Sequence, residues 1–537
     1  MTTRKIMRHI GGPTAIVVTL VAASPVLGWA EDLNDRIERM EHELHELKQQ
    51  LKDEQAARQK QQADAQAAEA AKAAQAAKAA EAAKTAEVEK SSESLTRELL
   101  DRVKVGGYGS FRFEGSTLDE VKNTFTFRRF VLTTDANIAP RLRAYFEVEF
   151  ERFRKLELEK SLSVQDGGLT SSSSVEGTDD SELSLEQGWL QYDLADWARF
   201  RAGAILVPVG RFNIRHDDNL WDLPRRSLVD RGVPVLPVEA AWDELGAGFN
   251  GDIPLSDTWL ASYQLYVMNG VTLDANSEQL AQARVGDTTL IENEVEVKPS
   301  NGTFNLDTKD SKALSGRFAV SPSLKGEIAA SFYWGRYTPD FLPSEHLYSI
   351  SGDGRWDFGI VEVEGEYVFT HFGGIEDAAR GFAQHAIFKE SELENDAVEH
   401  EVDFELANLA TDKQGYWIEL RHRFWPAFLN RTVLGSPFQH PQMVAVVRGE
   451  QVWLGDLITN VDFRNGALTA LDHENRSLDR ITVGLAYRPV PQVVFQLAYE
   501  YTRTDSGKSL SSVTNFLPAG STDNESHAVL VGTAFGF

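Results

Sequence analysis

Cysteine is absent from all 537 residues. Disulfides, thiolate metal sites and covalently attached c-type haem are therefore excluded. Long apolar runs are nearly absent as well. Past the stretch Ala15 to Leu27, nothing approaches the ~20 apolar residues that a membrane-spanning helix needs. Positive charge is in deficit, with 54 Lys and Arg against 81 Asp and Glu and a formal net charge of -27. Such a chain has nothing to neutralise a row of phosphates, which excludes nucleic acid as a partner. No second histidine stands at ligand spacing from His216, and a loop ion pair with Asp217 and Asp218 is the simpler reading of that group. No local motif singles out a nucleophilic serine. The sequence thus implies no enzyme, no metal and no cofactor.

What is present begins with the N-terminus. Arg4, Lys5 and Arg8 precede the run Ala15 to Leu27, and Gly28-Trp29-Ala30 sets small residues at the two positions a signal peptidase reads. Residues 1–30 are expected to be a cleaved signal peptide, the alternative being a membrane anchor. Residues 31–103 read as helix. Leu33, Ile37, Met40, Leu44, Leu47 and Leu51 recur at intervals of four and three, the heptad seam of a coiled coil. From Ala56 to Ala86 the text is Ala, Lys, Glu and Gln, which have helix propensity but no large apolar side chain to bury. About 70 helical residues at ~1.5 Å each would make an arm on the order of 100 Å long. Such an arm suits a periplasmic trimer stalk, or a link to a periplasmic or cell-wall partner.

At residues 104–537 the periodicity becomes two. In 141–151 one face reads Leu142, Ala144, Phe146, Val148, Phe150, and the other Arg141, Arg143, Tyr145, Glu147, Glu149, Glu151. A soluble sandwich would turn the apolar face inward. A transmembrane barrel turns it to lipid and keeps the charges in a wet lumen. The spacing of the connections separates the two. Tight turns (136–140, 194–196, 252–257, 321–323, 356–359, 425–430, 489–491) alternate with long polar loops (115–122, 156–182, 207–241, 269–310, 338–347, 372–411, 454–478, 504–525), as in outer-membrane barrels. The expected fold is an all-β transmembrane barrel of about 16 antiparallel strands, preceded by an α-helical coiled-coil segment. Phe125, Phe127, Trp189, Tyr192, Trp259, Trp334, Tyr337, Trp417, Trp453, Tyr499 and Tyr501 are expected in the interfacial girdles. The final strand, ending in Phe537, resembles the signal by which such barrels are recognised for insertion.

One connection stands apart. Between the strands that begin at Trp197 and resume at Trp242 lie Arg211, Arg215, Arg225, Arg226 and Arg231 among Asp217, Asp218, Asp222, Asp230 and Glu239. So long and charged a loop is expected to do more than connect. It is the third outward loop in the count, and is read as a plug or constriction. Arginines on one side of a narrowing and carboxylates on the other would make a transverse field that orients dipolar solutes. The plainer reading is that these charges pair and pin the loop to the wall. Expected pore-lining partners on the wall are Arg141, Arg143, Arg199, Arg201, Glu147 and Glu149. Glu362, Glu364 and Glu366 alternate on one strand face, a cation ladder or a solvated face.

Thr126-Phe-Arg-Arg-Phe-Val-Leu, then Ala202-Gly-Ala-Ile-Leu-Val-Pro-Val-Gly-Arg-Phe, then Pro224-Arg-Arg-Ser-Leu-Val-Asp-Arg resemble, in order and spacing, the phosphate-selective porin O and P family. The helical arm resembles that of the trimeric dicarboxylate-type porins. The resemblance implies a trimeric outer-membrane porin of a Gram-negative cell whose third loop folds into the lumen. It implies partners in outer-membrane lipid, in itself and in small polar or charged solutes that pass down their gradients. The family's net positive lining is not repeated, because inward acids match inward bases, which argues against phosphate specificity. The alternative is a structural barrel that tethers the envelope through its arm, or a sheath around a separate periplasmic partner such as a cytochrome.

Overall fold

The computed structural model describes residues 102–537 apart from 119–121, 153–155, 166–167, 178–181, 231–234, 239–240, 286–287, 302–306, 308, 379, 382–397, 407–408, 465–466 and 507–522, with isolated positions between 42 and 72. The chain divides into two compact units, Met1–Arg97 and Glu98–Phe537. In the first, the described positions are helical and exposed, and His42 lies 3.7 Å from Glu46 one turn on. The expected signal peptide, the heptad positions Leu33 to Leu51, Arg231 and Glu239 lie outside the described residues. No helix among the described residues is long and apolar enough to cross a membrane.

The second unit is a closed antiparallel ring. Its strands are β1 (Val103–Ser116), β2 (Thr124–Ala139), β3 (Leu142–Glu151), β6 (Glu182–Ala195), β7 (Ala198–Leu206), β8 (Asp243–Pro254), β9 (Leu260–Met268) and β12 (Ala313–Ser323), then β13 (Gly326–Arg336), β14 (His346–Asp357), β15 (Val361–Phe372), β17 (Ala410–Phe424), β18 (Gln442–Arg464), β19 (Ala467–Val490), β20 (Val493–Thr504) and β21 (Glu525–Gly536). Each pairs with the next, and β21 pairs back onto β1 from Tyr108 opposite Gly536 to Ser116 opposite Ala528. The ring therefore has 16 strands and no free edge, so every ladder group is satisfied within the sheet, as a hydrocarbon surround demands.

Five further strands lie in the long connections: β4 (Leu156–Gln165) and β5 (Gly168–Gly177) as a hairpin, β10 (Thr272–Val285) and β11 (Thr288–Ser300) as another, and β16 (Val398–Leu406), which runs parallel to β11. The stretch 454–478, expected as a loop, continues the β18–β19 ladder as far as Arg464 opposite Ala467. Leu454, Leu457, Ile458 and Leu478 of this extension are buried in the main apolar cluster.

Alternation decides which way each strand faces. Along β15, Glu362, Glu364, Glu366, Val368, Thr370 and Phe372 are buried. Elsewhere Phe146, Leu190, Phe318, Ile350, Ile418, Ile481 and Leu497 are exposed, each on the face opposite to a buried polar neighbour. A strand that turns Ile418 to solvent and Glu419 inward is stable only where lipid covers the outer face. Trp334, Trp259, Tyr192 and Tyr499 are exposed on that surface, as girdle residues are. Trp189, Tyr337 and Trp417 are not: each is buried, correcting the expectation. Trp417 packs on the inserted loop and Trp189 carries the Arg201 guanidinium on its ring.

Candidate functional site

The connection between β7 and β8 folds inward and rests on the inner wall. Its neck is closed by Asn213, whose Nδ2 donates to Val207 O at 2.7 Å and Trp242 O at 3.2 Å, and whose Oδ1 accepts from the Trp242 backbone at 2.7 Å. Gly210 makes the inward bend at φ 84, a conformation that costs a side-chain-bearing residue strain. The bend aims the next amide, Arg211 N–H, at Glu366 Oε1, 2.9 Å away.

An apolar seam seats the loop. Phe212 stacks on Trp221 with centroids 3.9 Å apart, and both meet Trp417 of β17. Leu223 lies in a second cluster with Val444, Val446, Ala498 and Leu530, inward residues of β18, β20 and β21. At Gly484 of β19 an added Cβ would come 2.4 Å from Leu223, so the glycine makes room for the loop's close approach. Side chains of this size, fully buried, contribute about 1.5–3 kcal/mol each.

Charge pairs then fasten the loop around the ring. Arg211 meets Glu364, Asp353 at 3.1 Å and Glu327 at 3.3 Å. Arg215 is 3.1 Å from Glu364. Asp218 accepts from Ser110 Oγ at 2.6 Å and lies 3.6 Å from Arg129 and 3.7 Å from Arg226. Burial alone would raise the Asp218 carboxyl, but Arg129 and Arg226 outweigh it and hold it well below the usual carboxylate range. Asp222 accepts from Arg488 at 2.7 Å and faces Arg421 at 3.6 Å. Arg225 bridges Glu500 at 2.7 Å and Glu114 at 3.1 Å. Arg226 donates to the His216 carbonyl and lies 3.6 Å from Asp230. His216 is buried beside Glu186, and Asp217 is half-buried next to it.

Of the expected site residues, then, Arg211, Arg215, Asp217, Asp218, Asp222, Arg225, Arg226 and Asp230 come together on the inner wall. Glu149 joins them through Arg129, at 2.9 Å, and Glu147 lies 3.9 Å from His216. The four wall arginines stand elsewhere. Arg141 is exposed in the β2–β3 turn at φ 67, where it has left the alternating face. Arg143 pairs with Asp135 and Arg199 with Asp252, both near strand ends, and Arg201 donates to Gln191. Their partners are wall residues and not the loop. The sequence reading also missed Arg129, Glu186, Asp353, Arg448, Glu450 and Arg480, all buried on the inner face. For Arg129 a β-bulge is the reason, since the register shift at Ser110/Phe111 flips the parity of β2.

A cavity of about 820 Å3 lies between Arg211, Glu327 and Arg355 and the turns at 254–260 and 321–326. Arg211, itself buried among its carboxylates, contributes to the lining of this cavity.

No protein-family model matches the chain. An uncharacterized protein of Aquifex aeolicus (strain VF5) is 24% identical over 246 residues, 42% of this chain and 50% of its own length. The chain thus spans about half the length of that relative. Among solved structures it is similar to the anion-selective porin from Comamonas acidovorans (10% identity, 81% of this chain and 99% of that one, TM-score 0.42). It is also similar to Salmonella typhi OmpF in complex with daunomycin (11%, 81% and 97%, TM-score 0.44) and to the outer membrane channel DcaP of Acinetobacter baumannii (8%, 81% and 97%, TM-score 0.36).

Proposed function

We propose that this chain is an outer-membrane porin through which small hydrophilic solutes or ions diffuse passively, with the loop 207–241 and the wall it meets setting the charge preference. One observation carries the reading. Sixteen antiparallel strands close on themselves with large apolar side chains outward and Arg, Glu and Asp inward, and a loop bearing both signs of charge is folded against that inner wall. A ring built this way holds an aqueous path within lipid. Arg211, Arg215, Asp217, Asp218, Asp222, Arg225, Arg226, Asp230 and Arg231 are the proposed selectivity residues, with Glu147 and Glu149 behind them. Kinship with the phosphate-selective porin O and P family is proposed on the three quoted stretches alone. Phosphate itself is not the proposed solute, because the loop's arginines are matched by wall carboxylates. Residues 1–30 are proposed as a signal peptide and 31–103 as a periplasmic coiled coil that assembles three copies. Stepwise conductance of the purified protein in planar bilayers tests the reading, and a folded barrel that gives no steps overturns it.

The dense pairing of the loop and its apolar seat favour one second reading, a structural barrel whose arm tethers a periplasmic or cell-wall partner. Deleting 31–103 discriminates: single-channel conductance stays unchanged under the first reading, whereas the envelope phenotype is lost under the second.

A further inference from the structure

His216 joins the inserted loop to two wall strands, and its ring is oriented in a particular way. Nδ1 lies 3.0 Å from the carbonyl oxygen of Asn213. A carbonyl only accepts, so Nδ1 carries a hydrogen and donates it. The other nitrogen, Nε2, then faces oxygens: Glu186 Oε2 at 3.3 Å, Asp217 Oδ1 at 3.7 Å and Glu147 Oε1 at 3.9 Å. A lone pair set against three carboxylates is repulsive, so positive charge has to stand among them. Either a proton on Nε2 or a metal ion meets that need.

We propose that His216 Nε2, Glu186 and Glu147 form a site for a divalent transition-metal ion of the zinc class, which clamps the inserted loop to β3 and β6. The donor atoms all lie within 4.8 Å of one another. Tetrahedral donors at ~2.0–2.2 Å from zinc stand about 3.4 Å apart, so the three need to close by little more than an ångström. The outer partners orient the donors. Asn213 O fixes the His216 tautomer, as outer partners of metal-bound histidines do. Glu147 Oε2 accepts from Gln187 Nε2 at 2.5 Å and Tyr145 OH at 3.3 Å, leaving Oε1 for the shared centre.

The alternation that exposes Leu183 and Leu185 turns Glu186 inward, and the β-bulge that pairs Glu147 with Gln187 and Val148 with Leu185 turns Gln187 inward beside it. All three donors are buried, and half-buried Asp217 offers both a route in and a fourth oxygen. An imidazole among carboxylates selects zinc-like ions over magnesium and calcium, which prefer oxygen ligands alone.

The test uses the full chain in detergent, stripped with a chelator and dialysed against Zn2+, with Mg2+ and Ca2+ in parallel. About one Zn2+ per folded chain is expected to remain, with neither Mg2+ nor Ca2+ retained. Co2+ in place of Zn2+ is expected to give the visible absorption bands of a four-coordinate site. His216→Gln and Glu186→Gln are each expected to weaken Zn2+ at least about tenfold, with closure of each barrel checked by heat-dependent gel mobility. Well under one Zn2+ per folded wild-type chain overturns the proposal, as does retention undiminished in both variants. If neither variant folds, the wild-type Co2+ spectrum decides, and the absence of its bands overturns the site. Conductance is not a readout here, so failure of the metal site and failure of the porin reading are told apart.

Discussion

Replacing Arg211 by alanine removes one positive charge from the place where the loop meets the wall at the edge of the cavity. Three carboxylates lose a partner: Glu364, Asp353 and Glu327. They are not left bare, since Arg215 stays 3.1 Å from Glu364, and Arg317 stays 2.7 Å from Asp353 and 3.0 Å from Glu327. Breaking a buried pair outright costs about 3–5 kcal/mol, and with this backing the loss belongs at the low end of that range. A permeating ion ~5 Å from the vanished charge would lose about 0.8 kcal/mol of interaction in water, cut to about 0.5 kcal/mol by 0.1 M salt.

The sign is opposite for cations and anions, so the permeability ratio should shift about fivefold toward cations. In a tenfold salt gradient that corresponds to a reversal potential displaced by about 30 mV from a non-selective pore. The assay is planar-bilayer recording of wild type, Arg211→Ala and Arg211→Lys, with the lysine variant keeping the wild-type potential. A folded Arg211→Ala barrel whose reversal potential does not move would refute the placement of this side chain on the ion path.

Four more outcomes follow from the same contacts. Glu364→Gln should shift selectivity the other way, toward anions, and its combination with Arg211→Ala should show a coupling of about 0.5–3 kcal/mol in a urea-unfolding cycle. Asn213→Ala should lower unfolding stability by about 1–3 kcal/mol and increase current flicker, because it opens three hydrogen bonds at the loop's neck. Trp417→Ala should cost about 3–5 kcal/mol, since it empties the seat under Phe212 and Trp221. Ile481→Arg, on the outer face, should cost about 2–4 kcal/mol in refolding into lipid vesicles, whereas Thr482→Ala, one residue on and facing inward, should stay within about 1 kcal/mol.

Period-two alternation and the rhythm of short turns and long loops were enough to identify the barrel and its strand number. Both signals are local, because the strand period of two is a property of the backbone and lipid accepts only one kind of face. The loop's charged residues were legible for the same reason: so many ionised groups beside Pro208, Gly210 and Pro224 fit no strand. Their partners were not. Glu364, Glu500, Glu114 and Asp353 lie more than 100 positions from the arginines they hold, and no spacing rule reaches that far.

The amino-acid order by itself determined that this chain closes a ring with grease outside and charge within, because each strand carries that instruction in its alternating side chains. Only the tertiary structure decided which charges meet. One inserted residue at Arg128 reverses the faces of β2 and brings Arg129 to Asp218, and another at Glu186 reverses those of β6 and brings Gln187 to Glu147. Such a bulge is a mismatch between two paired strands, and neither strand's sequence alone records where its neighbour falls out of step.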